Sequence, residues 1–330
     1  MVRNTLICLA TAASLLFAFA ERLNAQTIGY AEAVGQFGAN CSADIAKYCK
    51  TAALGGGRVQ QCLEQNQAHV SPSCKATSAA LSALLKKRAA ARASVLSVCD
   101  SDIRRLCAGI QPGDGNLMEC FYKAKRNTSA KCQQVVADAG FEVSLAAGPV
   151  TDQIHLKSND ILSSLQGVEA ATSGISAASL RQLAAQGIHD PARADRMNRA
   201  PLSEQLGNLA QLTVAIQFDF DSARIRPNSF RAVGLMADAL NHPYLQGYCF
   251  LVVGHTDAKG NREYNLKLSQ QRADAIRAAL TNPFGINPAR IAAVGLGEEQ
   301  LLNRSNPDAA ENRRVQLINI GTLRSGACAN

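Results

Sequence analysis

The sequence predicts an α+β protein in which an all-α, disulfide-rich region precedes a sheet with helices on one face. Eight of the cysteines fall into two sets of identical spacing between residues 38 and 140. From residue 212 to residue 321, β-rich segments alternate with helical ones, which predicts a βαβαβ sandwich. The chain has 330 residues, 47% of them hydrophobic, so it is long enough to form more than one core.

Residues 1–25 have the layout of a secretory signal peptide. A basic start at Arg3 is followed by an apolar run from Thr5 to Ala20, which is too short to span a bilayer comfortably, and then by small residues. We expect cleavage after Ala25, with Ala20 as the alternative; a core helix or an uncleaved anchor is the competing interpretation. Export would place the chain in an oxidising compartment, where cysteines pair.

The charge of the chain favours contact with an anionic surface. The formal net charge is +8 at pH 7, and the sequence pI is about 9.0. Phospholipid, cell-wall polymer and nucleic acid all fit this charge, but export argues against nucleic acid as a partner. Beyond the signal peptide, the sequence has no uninterrupted run of 18 apolar residues, so we expect no second membrane pass.

The two cysteine sets indicate a duplicated unit with a period of 58 residues. In each set, successive cysteines are separated by seven, twelve and eleven residues. Asp44-Ile45 recurs as Asp102-Ile103, and Gly55 recurs as Gly113. We place the two repeats at residues 38–80 and 96–140.

Each repeat is predicted to be a helical hairpin held by disulfides. Helix geometry places the first two cysteines of a set about 12 Å apart along the axis and about 80° around it, so both face one neighbouring helix. A nested pairing is then preferred, and the other connectivities stay open. Zinc is the competing interpretation, but the spacings lack a short knuckle and no histidine completes a ligand set, so we expect no metal. The preferred pairs are Cys41–Cys74, Cys49–Cys62, Cys99–Cys132 and Cys107–Cys120.

The strings CSADIAKYC and CDSDIRRLC, each followed by a glycine turn and two further cysteines, resemble the cysteine-rich repeat of the Golgi apparatus protein family. The resemblance covers about residues 38–140. It implies a small helical, disulfide-bonded module that binds proteins, here an envelope protein, and it brings no catalytic residue. The alternative is that the repeats are only stable spacers.

Residues 141–211 read as a linker with short helices. Residues 158–166 and 177–186 have weak helical patterns, while residues 190–201 are polar, basic and punctuated by proline.

The C-terminal domain is predicted to contain four strands and two helices. Cys249 opens the second strand, and Cys328 lies beyond the last one, in the tail of residues 322–330. We expect the two to form a disulfide that ties back the tail, with an intermolecular bond as the alternative. The strands are predicted at residues 213–220, 248–253, 291–294 and 315–320, and the helices at 227–240 and 262–280.

Arg272 is a charged residue on the apolar side of the second of these helices. With Arg262 at 0°, Arg272 falls at about 280°, in the middle of the apolar arc, with Asn265 at about 300°. A charge there needs a partner or a wet cleft. Asp257, in the string GHTD at the end of the preceding strand, is the obvious candidate. The competing interpretation is an internal ion pair that only braces the fold.

The run GHTDAKGNREYNLKLSQQRADAIRAAL, with FDFDSARI before it and ENRRVQLI after it, resembles the OmpA-like peptidoglycan-binding domain over about residues 212–321. The family's motif falls on Thr256-Asp257, Gly260, Asn265, Leu268-Ser269 and Arg272-Ala273. The resemblance implies a cleft for the diaminopimelate part of the peptidoglycan stem peptide.

Each side chain then has an expected role. Asp257 accepts from the ammonium group, Arg272 forks onto a carboxylate, Asn265 holds the peptide backbone and Leu268 packs on the methylene chain. The resemblance also implies that Phe220 and Asp221 form the opposite lip. Arg313 and Arg314 are weaker candidates.

The sequence predicts a binding protein rather than an enzyme. The five histidines are scattered without a nucleophile or metal-ligand spacing, although His255 near Asp257 could act as a base in principle. We expect no catalytic residue and no cofactor. The predicted function is non-covalent peptidoglycan binding in the periplasm, at the cell wall, with a link to the outer membrane left open. The alternative is an envelope scaffold whose OmpA-like domain does not bind peptidoglycan.

Overall fold

The computed structural model describes residues 27–110, 115–141, 158–165, 175–189, 202–323 and 328. The predicted signal peptide therefore lies outside the described residues. Within those residues, every helix is too short or too polar to cross a membrane.

In the described residues from 27 to 141, six α-helices form the N-terminal half, in agreement with the all-α prediction. The third of them is continuous and joins the two cysteine repeats, because its first turn contains Cys74 and its last turn leads directly into Cys99. The helices are α1 (Tyr30–Tyr48), α2 (Arg58–Gln65), α3 (Pro72–Val98), α4 (Asp100–Leu106), α5 (Asn116–Ala124) and α6 (Ala130–Asp138).

The cysteines of each repeat are paired in the nested arrangement. The outer disulfides, Cys41–Cys74 and Cys99–Cys132, each have a sequence separation of 33. The inner ones, Cys49–Cys62 and Cys107–Cys120, each have a separation of 13. In each repeat one helix is thus cross-linked to two others: α1 to α3 and α2, and α4 to α6 and α5. The nested pairing is as preferred, but each repeat has three helices where the sequence predicted a two-helix hairpin, because the glycine turn leads into a short helix and the last cysteine lies on the helix after it.

A second feature shared by the repeats is a buried carboxylate that locks one helix to the start of another. Asp44 accepts hydrogen bonds from the backbone N–H and the hydroxyl of Ser71, at 3.1 and 2.6 Å. Asp102 accepts the same two bonds from Ser129, at 3.0 and 2.8 Å. Each serine also caps the helix that it precedes. The repeated aspartate is therefore part of the scaffold.

The C-terminal domain has a four-stranded sheet of order β1-β4-β2-β3. Strand β4 is antiparallel to β1 and β2, whereas β2 and β3 are parallel. The first strand is shorter than predicted and ends at Val214; the chain beyond it forms a loop closed by a bridge between Phe218 and Ile225. The elements are β1 (Gln211–Val214), α10 (Phe230–Leu240), β2 (Tyr248–His255), α11 (Arg262–Thr281), β3 (Ile291–Gly297) and β4 (Val315–Thr322). Cys249 and Cys328 form a disulfide.

The segment before the sheet contains α7 (Ser158–Leu165), α8 (Ala177–His189) and α9 (Leu202–Asn208), the first two near the positions predicted for short helices. These helices lie in the predicted linker, but α8 and α9 also pack against the sheet. Successive residues of β2 belong to different cores, because they point to opposite faces of the sheet. Phe250 packs with α10 and α11, whereas Leu251 packs with residues of α8 and α9. The crossover helices lie on one face, as predicted, but the other face is also covered by helices.

The first repeat shares a core with the C-terminal domain. Tyr30 and Ile45 belong to the same hydrophobic cluster as Phe230 and Phe284. Close approach of α1 and α10 requires glycine, because a Cβ added at Gly234 would lie 2.6 Å from the Cα of Ala31. The second repeat has a separate core that includes Phe121, Val136 and Phe141.

A buried ion pair joins the two halves. Arg88 of α3, only 1% exposed, donates from Nη2 to Oδ1 of Asp238 in α10 at 2.8 Å. The same carboxylate accepts from the backbone N–H groups of Tyr30 and Ala31, at 3.0 and 2.9 Å. The Arg88 guanidinium also lies 3.9 Å from the centroid of the Tyr30 ring and donates to the carbonyl of Ile28. One charge pair therefore holds α1, α3 and α10 together.

We expect Arg88→Met and Asp238→Asn to lower the free energy of unfolding by about 3–5 kcal/mol each, because either change leaves a buried charge without its partner. The control is Arg104→Ala, which breaks an exposed ion pair with Asp100 and should cost less than about 1 kcal/mol. Denaturant titrations of the full chain measure both. A cost for Arg88→Met no larger than that of the control would contradict the role given to this pair.

A buried histidine marks the contact between the second repeat and the C-terminal domain. The His242 ring lies 4.7 Å from that of Tyr122 in α5, and its Nδ1 accepts from the backbone N–H of Tyr244. Burial, with a contribution from Lys125, lowers the pKa of His242 to about 4. The imidazole is therefore neutral in the folded protein across the neutral pH range.

Stability should consequently fall as the pH is lowered from about 6.5 to about 4, because only the unfolded chain binds a proton at His242 in that window. A shift of this size corresponds to a contribution on the order of 3 kcal/mol. His242→Asn, which keeps a cap acceptor but cannot titrate, should remove that component. His69→Asn, at an exposed position, is the control. A stability difference between wild type and His242→Asn that is constant from pH 7 to pH 4 would contradict the lowered pKa of His242.

Candidate functional site

Three segments meet beyond the C-terminal end of β2: the turn containing Thr256 and Asp257, the loop of residues 218–222, and Arg313 just before β4. The turn leads into α11, whose N-terminus is capped by Asn261; its Oδ1 accepts from the N–H groups of Glu263 and Tyr264 at 2.9 and 3.2 Å. Gly260 adopts a positive φ of 94°, which a glycine adopts without strain. The motif thus folds into a tight, capped turn at the sheet edge.

Asn265 holds this turn from inside. Its side-chain nitrogen donates to the carbonyls of Asp257 and Lys259 at 3.3 and 3.0 Å, and to the carboxylate of Glu298 at 2.7 Å. The residue is only 3% exposed. The sequence suggested that Asn265 holds the backbone of a ligand, but its nitrogen is engaged with the protein's own backbone, so its role in this structure is to position Asp257.

Asp257 is 8% exposed, and its Oδ2 accepts from Nη1 of Arg313 at 2.5 Å. Its ion-pair partner is therefore Arg313, which the sequence treated as a weaker candidate, and not Arg272. The side chain of Arg313 is 46% exposed, so this pair stands at the surface of the site and a ligand can reach it.

Arg272 is half-buried, and its Nε donates to the carbonyl of Ser222 at 3.1 Å. Its guanidinium lies 5.0 Å from the centroid of the Phe218 ring. Among the residues that the structure describes, neither of its η nitrogens has a hydrogen-bond or ion-pair partner. The sequence did not identify Ser222 and Phe218 as site residues, although both belong to the string FDFDSARI, residues 218–225.

The charges around Arg272 act on one another. Burial, and then the positive charge of Arg313, lower the pKa of Arg272, while Asp257 and Asp221 act in the opposite direction. The four charged side chains therefore lie in one region, and their formal charges sum to zero. A guanidinium whose η nitrogens have no partner among the described residues is, within this set, suited to a carboxylate.

The lip of the site presents an unusual aromatic side chain. Phe220 is 95% exposed, and the next residue, Asp221, has a positive φ of 51°. Ion pairs from Arg224 and Arg226 to Asp219 hold the same loop. A large apolar side chain held in water by an ordered loop is a candidate contact surface for a ligand.

The other predicted site residues lie deeper. Leu268 is 9% exposed and Thr256 is 3% exposed, and the Thr256 hydroxyl has no partner within the described residues. His255, the alternative base, is 2% exposed; burial lowers its pKa well below the usual value, so it is a neutral interior residue. Over the described ranges, no three histidine, cysteine or carboxylate side chains are grouped as metal ligands would be.

Two glycines under α11 set the height of Arg272 above the sheet. A Cβ at Gly254 would lie 2.3 Å from the carbonyl oxygen of Ser269, and one at Gly295 would lie 2.2 Å from the backbone nitrogen of Gln270. The Ser269 hydroxyl accepts from the N–H of Gly297 at 2.8 Å. Close packing at these points brings the next turn of the helix, with Arg272, to the cleft.

Residues 217–314 match the family model of the OmpA family. Outer membrane porin F of Pseudomonas aeruginosa is 34% identical over 113 residues, which cover 34% of this chain and 32% of the porin. The peptidoglycan-associated lipoprotein of the same species is 31% identical over 137 residues, which cover 40% of this chain and 79% of the lipoprotein. The chain spans about a third of the length of porin F from P. aeruginosa and from P. fluorescens.

A solved structure, the peptidoglycan-associated lipoprotein from Burkholderia pseudomallei, is 32% identical and matches 38% of this chain and 98% of that chain, with a TM-score of 0.28. The family model leaves the cysteine-rich repeats outside its range, and their resemblance to the Golgi apparatus protein family stays a prediction.

Gly254→Ala should displace α11 and lower the free energy of unfolding by about 1–3 kcal/mol, because the added methyl would overlap the backbone of the helix. Gly207→Ala is the matched control, since a Cβ there would meet nothing within 4 Å. Thermal unfolding followed by circular dichroism measures both. Equal melting temperatures for the two variants would show that the close approach of α11 is not a constraint.

Proposed function

Because the chain belongs to the OmpA family, we propose that its C-terminal domain binds peptidoglycan non-covalently and holds the cysteine-rich half at the cell wall. The observation that carries the proposal is the Arg272 guanidinium, whose η nitrogens lack partners within the described residues, beside the Asp257 carboxylate. The printed names of several relatives, the peptidoglycan-associated lipoproteins, agree with this class of ligand.

The chemistry of the site favours a zwitterion, and we propose the diaminopimelate of the stem peptide as the group bound. Its carboxylate would receive the two η nitrogens of Arg272, and its ammonium would donate to Asp257. Because the two arginines and two aspartates of the site have no net formal charge, a zwitterion keeps that balance. A ligand of one sign would leave a desolvated charge uncompensated.

Arg313 has to share Asp257 with the ligand. It contacts Asp257 through one nitrogen, and nearly half of its side chain is exposed. It can therefore remain on one carboxylate oxygen while the ammonium takes the other, or swing toward a ligand carboxylate. In the first case the Asp257–Arg313 pair stays intact beside the ligand; in the second, Arg313 leaves Asp257 to the ammonium group.

The remaining residues have supporting roles in the proposal. Phe220 and Asp221 form the exposed lip against which the stem peptide packs. Leu268 and Thr256 form the floor of the cleft. Asn265 positions Asp257 by donating a hydrogen bond to the backbone carbonyl of Asp257. These roles follow from the burial of the side chains, which leaves only the lip and the charged groups open to a large polymer.

The same proposal places the protein in the bacterial envelope as a binding protein without catalytic chemistry. Relatives named as outer membrane proteins and peptidoglycan-associated lipoproteins support this location. The five disulfides fit an oxidising periplasm. The predicted signal peptide would provide export.

We expect the chain of residues 26–330 to sediment with purified sacculi, and Asp257→Asn and Arg272→Met each to weaken this binding at least about ten-fold, the equivalent of one charge-assisted hydrogen bond. Free diaminopimelate should compete, while pimelate, which lacks the ammonium groups, and cadaverine, which lacks the carboxylates, should not. Circular dichroism would establish that both variants remain folded.

Matched controls come from the exposed face of the same helix. Asp274→Asn and Lys267→Met also remove one charge each from α11, at exposed positions, and should bind sacculi like wild type. If folded Asp257→Asn and Arg272→Met variants still sediment like these controls, the cleft is not the binding site. If the wild type itself does not sediment, the scaffold alternative is favoured.

A further inference from the structure

A second polar cavity lies on the other side of the domain, where α9, β1, β4 and the segment of residues 300–304 meet. Its volume is about 310 Å³. Arg314, Gln300, Gln316 and Gln211 contribute polar groups, and Arg304 also lines it. Nothing in the peptidoglycan proposal uses this cavity, because Arg314 packs on the sheet face opposite to α11.

Arg314 is the unusual residue of this cavity. It is 6% exposed, and its Nη2 donates to the carbonyl of Gln300 at 3.1 Å and to Oε1 of Gln316 at 3.3 Å. Its Nε and Nη1 have no partner, and no carboxylate lies within 4.0 Å of it in the part of the chain that the structure describes. A buried cation that meets only neutral acceptors is costly.

The neighbours of Arg314 do not supply the missing negative charge. His255, buried beside it, cannot carry a negative charge. Burial, and then the positive charge of Arg314, lower the pKa of His255. Burial lowers the pKa of Arg314 to about 10, so the guanidinium is still a cation at neutral pH. Within the described residues no acidic side chain supplies the counter-charge, and an anionic ligand is a group that can.

The wall around the guanidinium is held in place by a chain of amides. Gln316 accepts from Arg314 and donates from Nε2 to Oε1 of Gln211 at 3.0 Å. Gln211 in turn donates to the carbonyl of Leu206 at 3.2 Å. Each amide has a defined orientation, so the guanidinium is fixed before any ligand arrives, which reduces the ordering cost of binding.

The rest of the lining is apolar. Leu206 and Ile318 are buried, while Leu302 is 61% exposed at the mouth. At about 30 Å³ per water molecule, the cavity has the volume of roughly ten waters, which suits a molecule of the size of an amino acid. A short aliphatic body would cover the leucines, and an anionic group would reach Arg314.

We propose that this cavity binds a small carboxylate with a short aliphatic body, through Arg314. The guanidinium fork suits carboxylate and phosphate alike. A carboxylate is favoured because the aliphatic body attached to it can contact the apolar wall, which inorganic phosphate cannot. The C-terminal alanine of a peptide is the simplest group of this kind. The inference concerns a site separate from the Asp257 cleft and does not depend on peptidoglycan binding.

The test is isothermal titration of the full chain with N-acetylalanine, with neutral N-acetylalaninamide as the control and inorganic phosphate as the competing anion. We expect saturable binding of N-acetylalanine in the range below roughly 10 mM, at least ten-fold weaker binding of the amide, and weaker binding of phosphate. Absence of saturation in that range, or equal binding of the amide, overturns the proposal; tighter binding of phosphate overturns the choice of carboxylate.

Two variants locate the binding. Arg314→Met should reduce binding of N-acetylalanine at least ten-fold. Leu302→Glu, at the exposed mouth, should reduce it about five-fold by repelling the anion at close range, and provides the test if Arg314→Met does not fold. Arg272→Met, which removes the guanidinium of the other site, should leave N-acetylalanine binding within two-fold of wild type, so failure of this proposal can be distinguished from failure of the peptidoglycan proposal. Unchanged binding by Leu302→Glu and Arg314→Met would place the ligand elsewhere.

Discussion

The structure depends on one buried ion pair, between Arg88 of α3 and Asp238 of α10. A charge of either sign at these positions is unstable alone, and the carboxylate is satisfied because it also accepts two backbone N–H groups at the start of α1. The Arg88 side chain in addition contacts the carbonyls of Ile28 and Gly140. The interaction therefore joins the beginning of the described chain, the end of the second repeat and the sheet domain at one point.

This joint changes how the cysteine-rich half can act. The first repeat shares its hydrophobic core with α10 and α11, and the second contacts the sheet domain near His242 through α5. In the proposed tether, the shared core and the α5 contact therefore set the orientation of the repeats relative to the candidate cleft. The disulfides and the two Asp–Ser locks make each repeat rigid within itself, so that rigidity extends through the N-terminal half.

Charge balance explains both candidate binding sites. In the cleft beyond β2, Asp257 is neutralised by Arg313, and Arg272 is left with two η nitrogens that have no partner within the described residues. On the other face, Arg314 is buried among neutral amides and an uncharged histidine. These two adjacent arginines before β4 point to opposite sides of the sheet, as successive residues of an extended segment do. The basic excess of the chain is thus partly located at the two sites for which we propose anionic ligand groups.

The sequence by itself determined the fold class and the repeat, and it pointed to the region of the candidate cleft. Period and spacing are local properties: the 58-residue repeat indicated paired helices, alternating segments indicated the sheet, and the position of Arg272 on the apolar arc of α11 indicated a cleft. Only the tertiary structure decided which charges meet. Asp257 pairs with Arg313 and not with Arg272, Asn265 holds its own turn, and Arg88 finds Asp238 from 150 positions away. It also decided that α8 and α9 cover the second face of the sheet. The physical reason is that a charge or an apolar face constrains only the kind of partner it needs, while the identity of that partner depends on how distant segments are brought together.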